Sequence, residues 1–206
     1  MTETLINKMV QKMHGDNLRI RLDNMVASVY FHREIDIKEL QNKFDSAFYD
    51  KKSFPALIIR FFDIGTTVLL FSSGKAVVTG LKNLTQLERT VNRIIEKISN
   101  GKDTPTPSVD IVNMVYTVEI GTPFNLDEIA FNLPNCEYDP EQFTGLVYRP
   151  RGMRAVLLVF ASGNMVCSGA RSEEDVREAL RKFYTDVEKY NINIQVPEDL
   201  WGDEEW

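Results

Sequence analysis

Residues 71–80 read FSSGKAVVTG, and residues 160–169 read FASGNMVCSG. Adding 89 to a residue number carries one stretch onto the other, and the offset holds without a gap from Ile20/Val109 to Ile98/Val187. Identities along it include Asn24/Asn113, Val26/Val115, Glu39/Glu128, Tyr49/Tyr138, Asp50/Asp139, Phe54/Phe143, Arg60/Arg149, Leu69/Leu158, Phe71/Phe160, Val77/Val166 and Gly80/Gly169. A register that survives loops as well as helices marks duplication of a whole unit. Two copies with so long a period make a pseudo-symmetric pair, since a solenoid needs more and shorter repeats.

The 206 residues, 43% of them hydrophobic, can bury a sizeable core. No apolar run approaches the length of a membrane span, and the N-terminal stretch lacks the apolar block of a secretory signal. An intracellular protein with no membrane partner is expected: cytoplasm or nucleoid if archaeal, nucleus if eukaryotic. Cys136 and Cys167 have no counterparts in the first copy, so a disulfide framework is not expected. His14 and His32 are the only histidines, and neither CxxC nor HxxxH spacing occurs, so no metal or cofactor is expected. The formal charge of −6 hides an asymmetry: residues 19–98 carry net +4 and residues 108–190 net −5. Five more acids follow Tyr190. Net acidity argues against a nucleic-acid partner only weakly, because the field on the binding face decides.

Residues 1–18 have no twin and read as a short helix or loose arm. The β-branched and aromatic run at 22–31 predicts a strand with Asn24, Val26 and Ser28 on one face and Met25, Ala27 and Val29 on the other; its twin is 111–120. Asp36 and Asn125 each precede an acid by three positions, the signature of a capped helix start. Strands are predicted at 56–62, 66–72 and 75–79, with matching ones in the second copy. Leu84, Leu87, Val91, Ile94, Ile95 and Ile98 recur at helical spacing, as do Val176, Leu180, Phe183, Val187 and Tyr190 behind a Ser172-to-Asp175 capping box. The organisation expected is an arm (1–18), a first repeat (19–99), a linker (100–107), a second repeat (108–190) and an acidic tail (191–206). Each repeat is α+β, with helices on one face of an antiparallel sheet.

The motifs DNMVASV and VNMVYTV, YDKKSFPALIIR and CEYDPEQFTGLVYR, and the two FxSG hairpins followed by a helix resemble the TATA-box-binding protein family, most of all its archaeal members. The resemblance covers residues 20–190. It implies a saddle-shaped ten-stranded antiparallel sheet with four helices on its convex face. It also implies a general transcription initiation factor that binds double-stranded A·T-rich promoter DNA in the minor groove, bends it, and recruits transcription factor B and RNA polymerase.

A groove floor of A·T pairs presents only acceptors, so a sheet that reads it should offer apolar contact plus a few donors. Asn24 and Asn113 supply amides, and Ser28, Thr79, Thr117 and Ser168 hydroxyls. Val26, Leu69 and Val77, with Val115, Leu158 and Val166, make the apolar floor, and such a face left exposed implies a partner. The resemblance assigns Phe54, Phe71, Phe143 and Phe160 as wedges between base steps, where unstacking costs a few kcal/mol per step and flexible TA steps are cheapest. Arg60, Lys75 and Arg149, with Lys82, Arg154 and Arg171, are phosphate-contact candidates, which position without reading sequence. Glu141, in the loop at 138–142, is expected to meet transcription factor B. Asn164 stands where the first copy has Lys75, and Ser168 replaces the family's usual threonine.

Other readings are open to test. A divergent paralogue acting mainly through protein–protein contacts with weak DNA binding is favoured by the thinner basic set of the second copy. Homodimerisation in the absence of DNA is left open. An enzyme is not expected: no His/Asp/Cys constellation or paired acids recur at matching positions. Ser73-Gly74-Lys75 lacks the earlier glycine and the following helix of a phosphate loop. Cys167 is expected to be buried and inert. The acidic, tryptophan-containing stretch at 196–206 reads as solvated, the sharper alternative being that it competes with DNA for the open face.

Overall fold

The structure is a computed structural model that describes residues 18–99, 105–197 and 200. The expected arm, most of the linker and the last residues of the tail lie outside them. In chain order the described elements are β1 (Arg19–Tyr30), α1 (Ile37–Gln41), β2 (Ala47–Phe48), β3 (Ala56–Phe61), β4 (Thr66–Phe71), β5 (Lys75–Leu81), α2 (Leu84–Ser99), β6 (Ser108–Glu119), α3 (Leu126–Asn132), β7 (Cys136–Glu137), β8 (Leu146–Tyr148), β9 (Val156–Val159), β10 (Asn164–Ala170) and α4 (Glu173–Lys189). The strands form one ten-stranded antiparallel sheet in the order β2-β3-β4-β5-β1-β6-β10-β9-β8-β7. The α+β class expected from the repeat is the class observed. The chain divides into two compact units, Asp23–Met114 and the remainder.

In the first unit, strand alternation sorts the side chains cleanly. Met25, Ala27, Val29, Leu57, Ile59, Val68, Leu70, Ala76 and Val78 are buried, as are Leu87, Val91, Ile94 and Ile98 on α2, and α2 packs against β5. Each fully buried Leu, Ile or Val contributes about 1.5–3 kcal/mol, which is why α2 lies on this face. Asp36 caps α1 by accepting from Lys38 N and Glu39 N at 3.0 Å.

The first strand starts at Arg19, ahead of the predicted 22. β5 runs on to Leu81, past the predicted 79, because a bulge between Met25 and Ala27 lets it continue beside β1. The bulge falls at Gly80, where φ is +83° and a Cβ would lie 2.6 Å from the Gly65 carbonyl oxygen. Glycine is required there on both counts, and Gly169, with φ +86°, repeats it.

The second unit has the same plan with a more aromatic core. Phe183 of α4 meets Tyr148 at 5.3 Å and 72°, an edge-to-face pair. The Ser172 capping box is present: Asp175 N donates to Ser172 Oγ at 3.2 Å, and Arg171 N donates to Asp175 Oδ2 at 2.7 Å. That backbone bond, with the Ser172 hydroxyl, holds the Asp175 carboxyl below its usual range. Tyr148 Oη donates to Asp186 Oδ2 at 2.6 Å and Lys182 Nζ to Oδ1 at 2.8 Å, beneath β8.

Cys167 is buried, and burial pushes its thiol up to about 12, as it does that of Cys136. The stretch expected to be solvated is not so throughout: Pro197 and Leu200 are buried, their apolar area outweighing the acidic composition around them.

Candidate nucleic-acid interface

The sheet face opposite the helices carries every half-exposed apolar side chain that alternation assigned to it. In the first unit, cross-strand pairing lines up Ser28, Val77, Leu69, Ile58 and Phe48 in one row across β1, β5, β4, β3 and β2. A second row holds Thr79, Thr67 and Arg60. Val26, Ser28, Ile58, Thr67, Leu69, Phe71, Val77 and Thr79 are all partly exposed, while the residues that alternate between them, Ala27, Val68, Leu70 and Val78, are buried. In the second unit the row runs Val166, Leu158, Val147 and Glu137. Val115, Thr117, Val156, Phe160 and Ser168 are partly exposed as well.

Asn24 has a defined orientation. Its Oδ1 accepts from Gly80 N at 3.0 Å, across the bulge, which leaves the Nδ2 hydrogens to donate. Asn113 is the offset-related residue, likewise partly exposed, and Gly169 takes the matching backbone conformation.

The four predicted wedge phenylalanines form two pairs. Phe54 and Phe71 meet edge to face at 6.1 Å, and Phe143 and Phe160 at 5.9 Å. Phe54 and Phe143 are each 40% exposed, far more than a core ring would be. Each first ring is carried by a loop tied at a conserved-offset aspartate. Asp50 accepts from Lys52 N at 3.0 Å and Ser53 Oγ at 2.7 Å, and its carbonyl accepts from Phe54 N at 2.9 Å. Asp139 accepts from Glu141 N at 3.1 Å and Gln142 Nε2 at 2.6 Å, and its carbonyl from Phe143 N at 2.9 Å. The Ser53 hydroxyl bond, reinforced by the Lys52 amide, lowers the Asp50 carboxyl from its ordinary value. The Asp50/Asp139 identity was visible in the sequence, but its function of fixing the ring-bearing loop was not. Glu141 sits exposed at the tip of the second loop.

Among the basic candidates Arg60, Lys75, Lys82, Arg154 and Arg171 are exposed. Arg149 is exposed too, with its Nε 3.5 Å from Glu137 Oε1. Sequence reasoning missed Phe48 and Phe62, 60% and 78% exposed at the outer edge of the first unit. Phe62 could have been found by continuing the alternation Ile58, Arg60; Phe48 lies on a two-residue strand too short for periodicity to mark. Among the described residues no group of three His, Cys, Asp or Glu side chains is placed to hold a metal ion.

A twice-repeated unit with helices on one sheet face, and a half-exposed apolar floor with paired aromatics on the other, defines a class of sheet-faced binding proteins. The family described as Transcription factor TFIID (or TATA-binding protein, TBP) matches residues 19–100 and 108–190. The TATA-box-binding protein of Pyrococcus abyssi is 44% identical over 187 residues, covering 90% of this chain and 98% of that one. That of Thermococcus celer is 43% identical over 187 residues, covering 90% and 99%. The solved structure of Methanococcus jannaschii TBP superposes with a TM-score of 0.77 at 36% identity, covering 83% of this chain and 99% of its own. The chain belongs to the TATA-binding protein family.

Proposed function

We propose that this chain is a general transcription initiation factor that binds A·T-rich promoter DNA through the minor groove, bends it, and recruits transcription factor B and RNA polymerase. The observation that carries this reading is the row of half-exposed apolar side chains beside a projecting phenylalanine pair, present in both units. Such a floor is matched to a groove that offers acceptors and shape but little pattern. Asn24 Nδ2, Thr79 and Ser168 donate to adenine N3 or thymine O2, while the valines and leucines exclude water. Phe54 with Phe71, and Phe143 with Phe160, enter base steps, and the bent duplex repays the unstacking by touching more protein. Glu141 is the contact proposed for transcription factor B. Residues 19–99 and 108–190 act as the two repeats, joined by 100–107.

Titration of an A·T-rich duplex against salt tests this. If Arg60, Lys75, Lys82, Arg149, Arg154 and Arg171 all neutralise phosphates, log K falls against log salt with a slope of about −5. End-to-end energy transfer across the duplex should rise on binding. A flat salt dependence with no bend would instead support a paralogue working through protein contacts, a reading favoured by Asn164 and by the Arg149–Glu137 ion pair in the second unit.

A further inference from the structure

The two phenylalanine pairs rest on different floors. Ala56, two residues after Phe54, is 1% exposed and paired across the ladder with Phe71. The offset-related residue beneath Phe143 and Phe160 is Gly145, also buried. A methyl group built on Gly145 would lie 2.7 Å from Phe143 Cε1 and 2.9 Å from Phe160 Cε1. Carbon atoms do not approach so closely, so the rings would have to give by roughly 0.7 Å or more. The φ of Gly145 lies outside the left-handed region, so a side chain there is opposed by the two rings alone and not by the backbone. The second pair is therefore seated on bare backbone, whereas the equivalent position beside the first carries a methyl group.

Resting on the DNA-wedge reading above, we infer that residues 56 and 145 are positioning residues which set how far each ring pair projects, making the two ends of the bound DNA site inequivalent. Depth of insertion fixes how completely a base step is unstacked. A pair seated on backbone and a pair with a methyl beside it demand different deformability of the steps they enter, and an asymmetric promoter can meet that demand in only one orientation. The difference lies in one carbon atom per unit, beside rings that are themselves identical in sequence.

The test uses the full chain and a non-palindromic A·T-rich duplex carrying 2-aminopurine at one or other outer step, whose fluorescence rises on unstacking. Phe71→Ala and Phe160→Ala locate which end each unit holds. Gly145→Ala is expected to change the signal at the Phe160 end at least twofold and leave the Phe71 end within about a fifth. Ala56→Gly, a substitution with no steric obstacle to folding, is expected to do the reverse. The double exchange Ala56→Gly/Gly145→Ala should interchange the two end signals. If wild type unstacks neither step, or the alanine variants leave both signals intact, the DNA-wedge reading fails and the inference with it. If the phenylalanine variants behave as wedges but Ala56→Gly and Gly145→Ala move both ends equally or neither, positions 56 and 145 do not set projection and the inference alone is overturned.

Discussion

Asn24→Asp separates the two jobs of one amide. Oδ1 accepts from Gly80 N at 3.0 Å, and Nδ2 is left to donate outward. Aspartate keeps an acceptor for Gly80, now charge-assisted, and removes the outward donor. Unfolding free energy should therefore stay within about 0.5 kcal/mol of wild type. Binding changes far more. A lost donor strands a base acceptor in a dry interface, at about 1–3 kcal/mol, and costs rise when the mismatched group is charged. With like-charge repulsion from groove acceptors and phosphates added, the loss should exceed about 3 kcal/mol, more than about a hundredfold in Kd.

Asn24→Ala makes the complementary case. It lacks the acceptor too, so Gly80 N loses its partner and the fold weakens by about 1–3 kcal/mol. Its Kd rises only about 5–150-fold, since no charge is introduced. Anisotropy titration of an A·T-rich duplex at one fixed salt concentration, with urea denaturation alongside, measures both quantities. An aspartate variant that binds within threefold of wild type would refute the claim that Nδ2 faces the groove.

Two further predictions concern the cores. Thr90 Oγ1 donates to Gln86 O at 2.7 Å, so Thr66 must be the donor in the 2.9 Å bond between the buried hydroxyls of Thr66 and Thr90. Thr90→Val should cost about 1–3 kcal/mol by stranding the Thr66 hydroxyl, while Thr66→Val/Thr90→Val recovers most of it; simple additivity in urea melts would contradict this. The second repeat already has the apolar solution, with buried Ala155 and Ala179 at the corresponding positions. For Asp186, burial raises the carboxyl, but hydrogen bonds from Lys182 and Tyr148 and the charges of Lys182 and Lys189 outweigh it, and the folded value lies below the ordinary one. A depressed carboxyl contributes stability that is present above its unfolded pKa of about 3.9 and is lost as pH falls through the folded value. Asp186→Asn should therefore be less stable than wild type at pH 7 and converge with it below about pH 4, as read by melting temperature. A gap that persists into acid would show that the carboxylate's charge is not what is lost.

Much of the architecture was legible because it repeats. One gap-free offset doubled every weak periodic signal, so the alternation of Asn24, Val26 and Ser28 against Met25, Ala27 and Val29, and the caps at Asp36 and Asn125, could each be checked against a twin. The sheet face was legible for the same reason, since parity within a strand is a local property. The short edge strands β2 and β7 were not, because two residues carry no period. Nor was the exposure of Phe48, whose ring follows from pairing with Ile58 rather than from its neighbours in the chain.

Read as a string of residues, the chain already gave away the duplication, the α+β class, the sidedness of each strand and the two offset-related pairs of phenylalanines, Phe54/Phe143 and Phe71/Phe160. What each of those side chains rests against is a matter of the folded molecule. The Gly80 amide that turns the Asn24 side chain lies 56 residues away, and the Tyr148 hydroxyl on Asp186 is 38 residues distant. The methyl or bare backbone beside each ring pair gains meaning only once two strands lie side by side. Periodicity reports which way a side chain points from its own strand; hydrogen-bond satisfaction and ring height depend on atoms the chain brings in from elsewhere, and only folding supplies them.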